Sequence, residues 1–413
     1  MTATEEQIHA IAEAIADLYR RLLLSDIPEE PSYRGYLDLE TPFALDHDGY
    51  HISYVGLLRS VFQLPNIGEK WSEDGIQEQG HQLLLSLAET KKQGGESPDF
   101  HSVAHEWLGK FDVEVREHLC YTAVSGLSVH LPLEVGDVTF LPLDTQRPEL
   151  KNEMASSLLE KLNSYRDCLS CSSVTAEWRR ASQIHRQKTE QALNVVRFIA
   201  SLVWHDQPIR HIYIAGQDPG RVSDSLVVAS EGTVSWVGAS EFTPLPVQIN
   251  HETIQYVEFY GLKEIQALLQ VSHPSEIEQS FLTAIQWYGQ ATQEFLPLVA
   301  FVKYYISIEV VLKKEREYAR SVLPRRLGVL IDPWDGSRLP KLEDDLRGFV
   351  DERNAVFHSG MPISSTPEEL AWDARVLARQ ALHQLRRRLR SEHWQTKDDL
   401  IAWSAAQHQK YLS

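Results

Sequence analysis

The stretch KLEDDLRGFVDERNAVFHSG, Lys341 to Gly360, has the apolar spacing of one helix with a core-facing side. At about 100° per residue, Leu342, Leu346, Phe349, Val350, Val356 and Phe357 fall on a single face, and Gly360 supplies the stop. Arg353 interrupts this pattern. By the same stepping it sits at the centre of the apolar face, where an unpaired guanidinium is costly to desolvate. The chain must give this cation a partner or a use.

A partner is present in the sequence. The run EFLPLVAFVKYYISIEVVLKKE, from Glu294 to about Glu315, is a second helical pattern. Leu298, Val302, Tyr305 and Leu312 form its stripe, with Glu309 in the middle. Opposite charges at two core positions predict a pair between Glu309 and Arg353. Five residues after Arg353 comes His358, in the last turn. The bare spacing of Arg, four residues, His occurs at Arg180/His185, Arg353/His358 and Arg388/His393. Only the Arg353 copy adds the adjacent Asn354, the apolar stripe and the glycine-terminated helix.

Around these two helices the sequence predicts an α+β chain. Residues 4–24 and 79–90 read as helices, and Tyr54 to Leu64 is a short apolar stretch. The run from His118 to Leu143 reads as two or three strands. A long helix follows from about Ala176 to Trp204. Residues 208–262 are strand-like again, in RHIYIAG, SLVVAS, TVSWVG and QYVEFYG. From about Ser272 the pattern is helical. Ser275 caps the first helix, the Glu309 helix is second, and Leu342–His358 is third. Thr366-Pro367-Glu368-Glu369 opens the fourth with a capping box and a proline at the first helical position. Four helices, with one longer connection at 316–341, predict an antiparallel bundle. The expected domains are 1–270, mixed and acidic with a break near 165–175, and 271–413, helical.

Charge divides along the same line. The net charge is −18, yet residues 301–413 hold 19 Lys and Arg against 16 Asp and Glu, leaving 21 against 42 in the rest. An RNA partner for the C-terminal part is therefore compatible with its charge. On the fourth helix Arg375, Arg379, His383, Arg386 and Arg390 lie opposite Leu370, Ala374, Leu377 and Ala381. That row reads as an RNA-backbone track or as a solvated basic face. Three cysteines in 413 residues point to a reducing, cytoplasmic setting. No signal peptide or membrane span is expected.

Two other motifs carry little weight. Cys168-Leu169-Ser170-Cys171, with His185 downstream, lacks the second ligand pair of a zinc site. Trp204-His205-Asp206 comes without a nucleophile motif and reads as a helix end. No metal and no cofactor is expected.

Arginine offers phosphate a planar, permanently charged fork, and histidine transfers protons near neutrality. Together they suit metal-independent RNA cleavage, in which one oxygen loses a proton, another gains one, and a phosphorane accumulates charge. One chain supplies one histidine at this position, and residues 353 and 358 are separated by about 140° on an ideal helix. A two-fold homodimer with the third helices facing each other would complete a cleft.

The string RNAVFH resembles the Arg-Asn-x-x-x-His motif of HEPN domains, four-helix bundles that include many metal-independent ribonucleases. The run YYISIEVVL is similar to the aromatic-rich second helix of the Apea-like branch, which carries a matching glutamate. The resemblance covers the last third of the chain. It implies that Arg353 stabilises the phosphorane, His358 transfers protons, Asn354 orients the histidine or the substrate, and Glu309 holds Arg353. Products would be a 2′,3′-cyclic phosphate and a 5′-hydroxyl, and the substrate RNA, with tRNA among the candidates. A toxin or antiviral role is implied, with the first 270 residues sensing a trigger or holding the nuclease in check, and with a regulatory protein among the candidate partners. Two plainer readings stand beside these. Arg353 and Glu309 form a structural ion pair, and His358 interacts with the negative end of its helix; the bundle is then a binding module that docks a partner protein or nucleotide.

Overall fold

The computed structural model describes residues 3–21, 49–94, 97–142, 167–205, 211–215, 225–228, 234–237, 246–331 and 338–412. They form an α+β chain that divides into two compact units, Met1–Cys120 with Ser173–Arg186, and Tyr121–Ser172 with Gln187–Ser413. The chain changes unit after Cys120, after Ser172 and after Arg186.

The first unit is built on α1 (Glu5–Arg21), α2 (Gly49–Phe62), α3 (Pro65–Gly68), α4 (Glu73–Lys92) and α5 (Phe100–Glu114). Ile8, Ile11, Ile15 and Leu18 recur at helical spacing on α1 and are buried with Leu57, Val61, Leu84 and Phe111. Trp71 packs edge-on to Phe111, with ring centroids 4.6 Å apart, and its indole nitrogen donates to the Phe111 carbonyl at 3.0 Å. Ser72 caps α4 by accepting from the Gly75 amide.

A five-stranded sheet runs in the order β3-β4-β5-β1-β6. Its strands are β1 (Arg116–Ser125), β3 (Leu133–Val135), β4 (Val138–Pro142), β5 (Cys168–Ala176) and β6 (Tyr213–Ile214), while β2 (Leu127–Val129) lies between β1 and β3 in sequence. β4 runs antiparallel to both β3 and β5, with Phe140 opposite Leu133 and Ser170, and β1 is antiparallel to β6. β2 instead pairs in parallel with β9 (Val247–Ile249). Between them in sequence come α6 (Trp178–Val203) and the hairpin of β7 (Ser225–Val228) and β8 (Val234–Val237).

QYVEFYG, expected as a strand, lies in α7 (Ile254–Phe259). Its mix of aromatic and β-branched residues suits either state. The preceding turn decides: the Asn250 side-chain oxygen accepts from the Glu252 and Thr253 amides at 2.9 and 3.0 Å, an arrangement that starts a helix. Gly261, at φ 103°, turns the chain into α8 (Leu262–Leu269).

Six further helices follow: α9 (Glu276–Gln293), α10 (Pro297–Leu312), α11 (Ala319–Ile331), α12 (Leu339–Ser359), α13 (Pro367–Glu392) and α14 (Lys397–Leu412). The expected capping box forms at Thr366 with Glu369, and the expected cap at Ser275 is a capping box as well, with Glu278. Gly360 closes α12 in the left-handed region at φ 76°. The expected four-helix bundle acquires two more members. α11 occupies the presumed 316–341 connection despite Pro324, and α14 follows a turn in which the Asp399 carboxylate accepts from the Gln395 and Thr396 amides at 2.9 Å.

These helices do not form a separate domain beginning at 271. One hydrophobic core joins Val124 and Phe140 of the sheet, Val196 and Ile199 of α6, Phe281 and Ile285 of α9, and Phe301 and Tyr304 of α10. The physical reason is at the α6–α9 crossing. A Cβ at Gly289 would lie 2.4 Å from the Asn194 side-chain oxygen, so glycine there lets the two helices approach closely. Asn194 also donates to Gln286 at 2.8 Å. Among the described residues no helix is long and apolar enough to cross a membrane.

Candidate functional site

Helix α10 starts at Pro297 in the first turn and buries Phe301, Tyr304, Tyr305, Ile308, Val311 and Leu312. Helix α12 buries Leu346, Phe349 and Val350. It packs along α11 and reaches α10 through Phe349, whose ring lies 5.5 Å from Phe301 and 5.6 Å from Tyr305. One turn further along α12 the apolar seam gives way to charge.

There Arg353 meets Glu309, Nη2 to Oε2 at 3.4 Å. Lys313 approaches the other carboxylate oxygen at 3.3 Å, so the cluster holds two cations and one anion. Arg353 also lies over two rings, 5.1 Å from the centre of Tyr305 and 4.2 Å from that of Phe357. Cation–π contacts of this kind orient a guanidinium while leaving its edge available for hydrogen bonds. Nη1 donates to the Asn354 side-chain oxygen at 3.3 Å, while Nε is buried with no hydrogen-bond partner among the described residues.

The Tyr305 hydroxyl is likewise buried and without a partner among them. Burial, reinforced by the Glu309 carboxylate, pushes its phenol well above the ordinary range, so it stays a neutral donor.

His358 is exposed in the last turn of α12 and makes no hydrogen bond to a protein group among the described residues. Asn354 faces Arg353, not the histidine. Phe357, placed on the core face by periodicity, is 52% exposed, and Met361 and Ile363 beyond the cap are 62% and 67% exposed. Sequence reading did not find what fixes that turn. Glu352 is buried, and its carboxylate accepts from the Ile363 and Ser364 amides and from the Ser364 hydroxyl. Burial alone would raise this carboxyl, but those hydrogen bonds hold it below the usual range. A glutamate beside an arginine on a helix gives no sequence signal for such a role.

The fourth-helix arginines are not a solvent-facing row. Arg379 donates to the Ser201 and His205 carbonyls, at 3.1 and 3.3 Å, capping the end of α6. Arg375 lies over the Trp372 ring. Arg386 is buried against Glu264 of α8, and Arg390, exposed, reaches the same carboxylate at 3.1 Å. Cys168 and Cys171, three residues apart on β5, project from opposite faces of the strand and are both buried. Burial pushes the Cys168 thiol far up, leaving it inert. Trp204 follows directly on α6, as expected of a helix end.

Burial, with Arg386 and Arg387 nearby, pushes the His383 imidazole down to about 4. The unfolded imidazole takes up a proton below about 6.5, the folded one only below about 4. Between these values the unfolded chain binds more protons, so stability falls as pH falls. Allowing for partial solvent screening, the expected loss between pH 6.5 and 4 is about 2 kcal/mol. It should disappear in His383→Gln when the two chemical-denaturation profiles are compared across that range.

No protein-family model, curated protein or solved structure matches the chain.

Proposed function

We propose that the chain is a metal-independent endoribonuclease of the HEPN type, acting as a homodimer in which two copies of the α12 site share one RNA strand. The observation that carries this reading is the setting of Arg353. It is held by Glu309, laid over Tyr305 and Phe357, and followed after one turn by an exposed histidine. In the proposed reaction one His358 takes the proton of the 2′-hydroxyl and the other protonates the departing 5′-oxygen. The Arg353 guanidinium donates to the phosphorane oxygens. Asn354 steadies the arginine in this scheme.

A second reading has its own observation. Phe357, Met361 and Ile363 form an exposed apolar border beside the site, which suits a docking surface for a protein partner as well as a dimer contact. The regulatory role of the first 270 residues belongs to the same proposal. Deleting them is a poor test, since the sheet and α6 share a core with α9 and α10.

The cleaner test incubates the whole protein, and its Arg353→Lys variant, with total RNA in excess EDTA. Wild type is expected to leave 2′,3′-cyclic phosphate and 5′-hydroxyl ends. Lysine keeps the charge and loses the planar fork, so the variant should cleave about 100-fold more slowly. Intact RNA at every concentration that supports a dimer would favour the docking reading instead.

A further inference from the structure

A second site lies away from Arg353, where α7 and α8 meet the C-terminal half of α13. A cavity of about 540 Å³ is lined by Glu258, Phe259, Glu264, His383, Arg386 and Arg390, together with Arg387. Its charge is unbalanced. Glu264 is shared by Arg386 and Arg390, and Glu258 is neutralised by Lys263 at 2.8 Å. Arg387 has no carboxylate partner among the described residues. With Glu258 neutralised by Lys263, the three arginines of the lining face one carboxylate, Glu264, and the surplus of two matches the charge of a phosphomonoester near neutral pH.

The lining is built rather than incidental. Arg386 is 9% exposed and crosses the α7–α8 turn so closely that a Cβ at Gly261 would lie 1.8 Å from its Nη1. Its Nε and the His383 Nδ1 are buried without hydrogen-bond partners among the described residues, so donors and acceptors are left over at the cavity wall. On the same wall the Tyr260 ring packs against His383, 5.7 Å away, and edge-on to Phe259, 5.3 Å away. Phe259 is 75% exposed and presents a flat apolar surface at the rim. The volume exceeds what phosphate alone would fill and lies in the range of sites for small organic ligands.

We propose that this cavity binds a small phosphate-bearing molecule with a flat ring, of the size and chemistry of a nucleoside monophosphate. The phosphate would take the forks of Arg387 and Arg390, with Arg386 adding its charge from the cavity wall, while the ring would stack on Phe259. This inference does not depend on the nuclease reading, because none of these residues belongs to the Arg353 site.

The test is calorimetric titration of the whole protein with AMP, GMP, CMP and UMP, and with adenosine and inorganic phosphate. Arg387 and Phe259 are both exposed, so Arg387→Glu and Phe259→Ala should keep the fold, which a melting curve checks. At least one nucleotide should bind, with affinity lowered about tenfold or more by Arg387→Glu and several-fold by Phe259→Ala. Adenosine and inorganic phosphate should each bind about tenfold or more weakly than that nucleotide. Failure of all four nucleotides to bind at millimolar concentration would overturn the proposal. So would unchanged affinity in Arg387→Glu, equal binding of adenosine, or binding of a short RNA where mononucleotides fail.

Discussion

Replacing His358 with alanine is expected to slow RNA cleavage in excess EDTA by about 1,000-fold, the middle of the range for losing a positioned proton-transfer group. The variant should be as stable as wild type. His358 is exposed in the last turn of α12 and makes no hydrogen bond to a protein group among the described residues. A surface change of that kind shifts stability by about 0.5 kcal/mol or less. Loss of cleavage with an unchanged melting curve would therefore separate chemistry from folding, which Arg353→Ala would not. In a dimer the substitution removes both histidines, so the attacking and departing oxygens lose their proton partners together. Equal cleavage by variant and wild type would sink the assignment of His358.

Arg326→Ala is expected to cost about 3 kcal/mol of stability, the low end of the range for breaking a buried ion pair from one side, because Arg326 is buried while Glu317 is partly exposed. Arg326 is 5% exposed. Its two terminal nitrogens each donate to Glu317 at 2.6 Å, and Nη1 also donates to the Leu312 carbonyl at 2.7 Å. The guanidinium thus closes the end of α10 and joins it to α11, against which α12 packs. Removing it strands a carboxylate and a helix-end carbonyl together. For a unit of this size the melting temperature should fall by about 10 °C.

A pH signature accompanies the same substitution. The hydrogen bonds from Arg326 hold the Glu317 carboxyl down to about 2, against an ordinary 4.5. That stabilisation is complete above the unfolded value and is lost as pH falls from about 4.5 toward 2. The acid-induced loss should therefore be smaller in the variant. A melting temperature unchanged by Arg326→Ala would show that the end of α10 is held in another way.

Much of the C-terminal part was legible because its signals are local. A Ser or Thr three residues before a Glu satisfies backbone donors within one turn, so the capping boxes at Ser275 and Thr366 needed no tertiary context. Gly360 ends α12 because only glycine enters the left-handed region readily. The contact between Glu309 and Arg353 was also legible, since each interrupts an apolar stripe and a desolvated charge needs its opposite.

Other features had no local sign. Pro324 hid α11, and the mostly small residues CLSCS at the start of β5 hid that strand, although SSVT within it has strand chemistry. Glu343 is buried because His408, 65 residues later, lies 2.7 Å away.

The sequence by itself determined where the C-terminal helices begin and end, and which two charges would seek each other. Only the tertiary structure decided that the row on α13 would be consumed by the α6 carbonyls and by Glu264, that Phe357 would cover an arginine instead of entering the core, and that α7, α8 and α13 would line an open cationic pocket. The reason is that periodicity fixes the face of a single element on which a side chain lies. Whether that face meets water, a carboxylate or a carbonyl depends on an element distant in sequence, and no spacing within the helix records it.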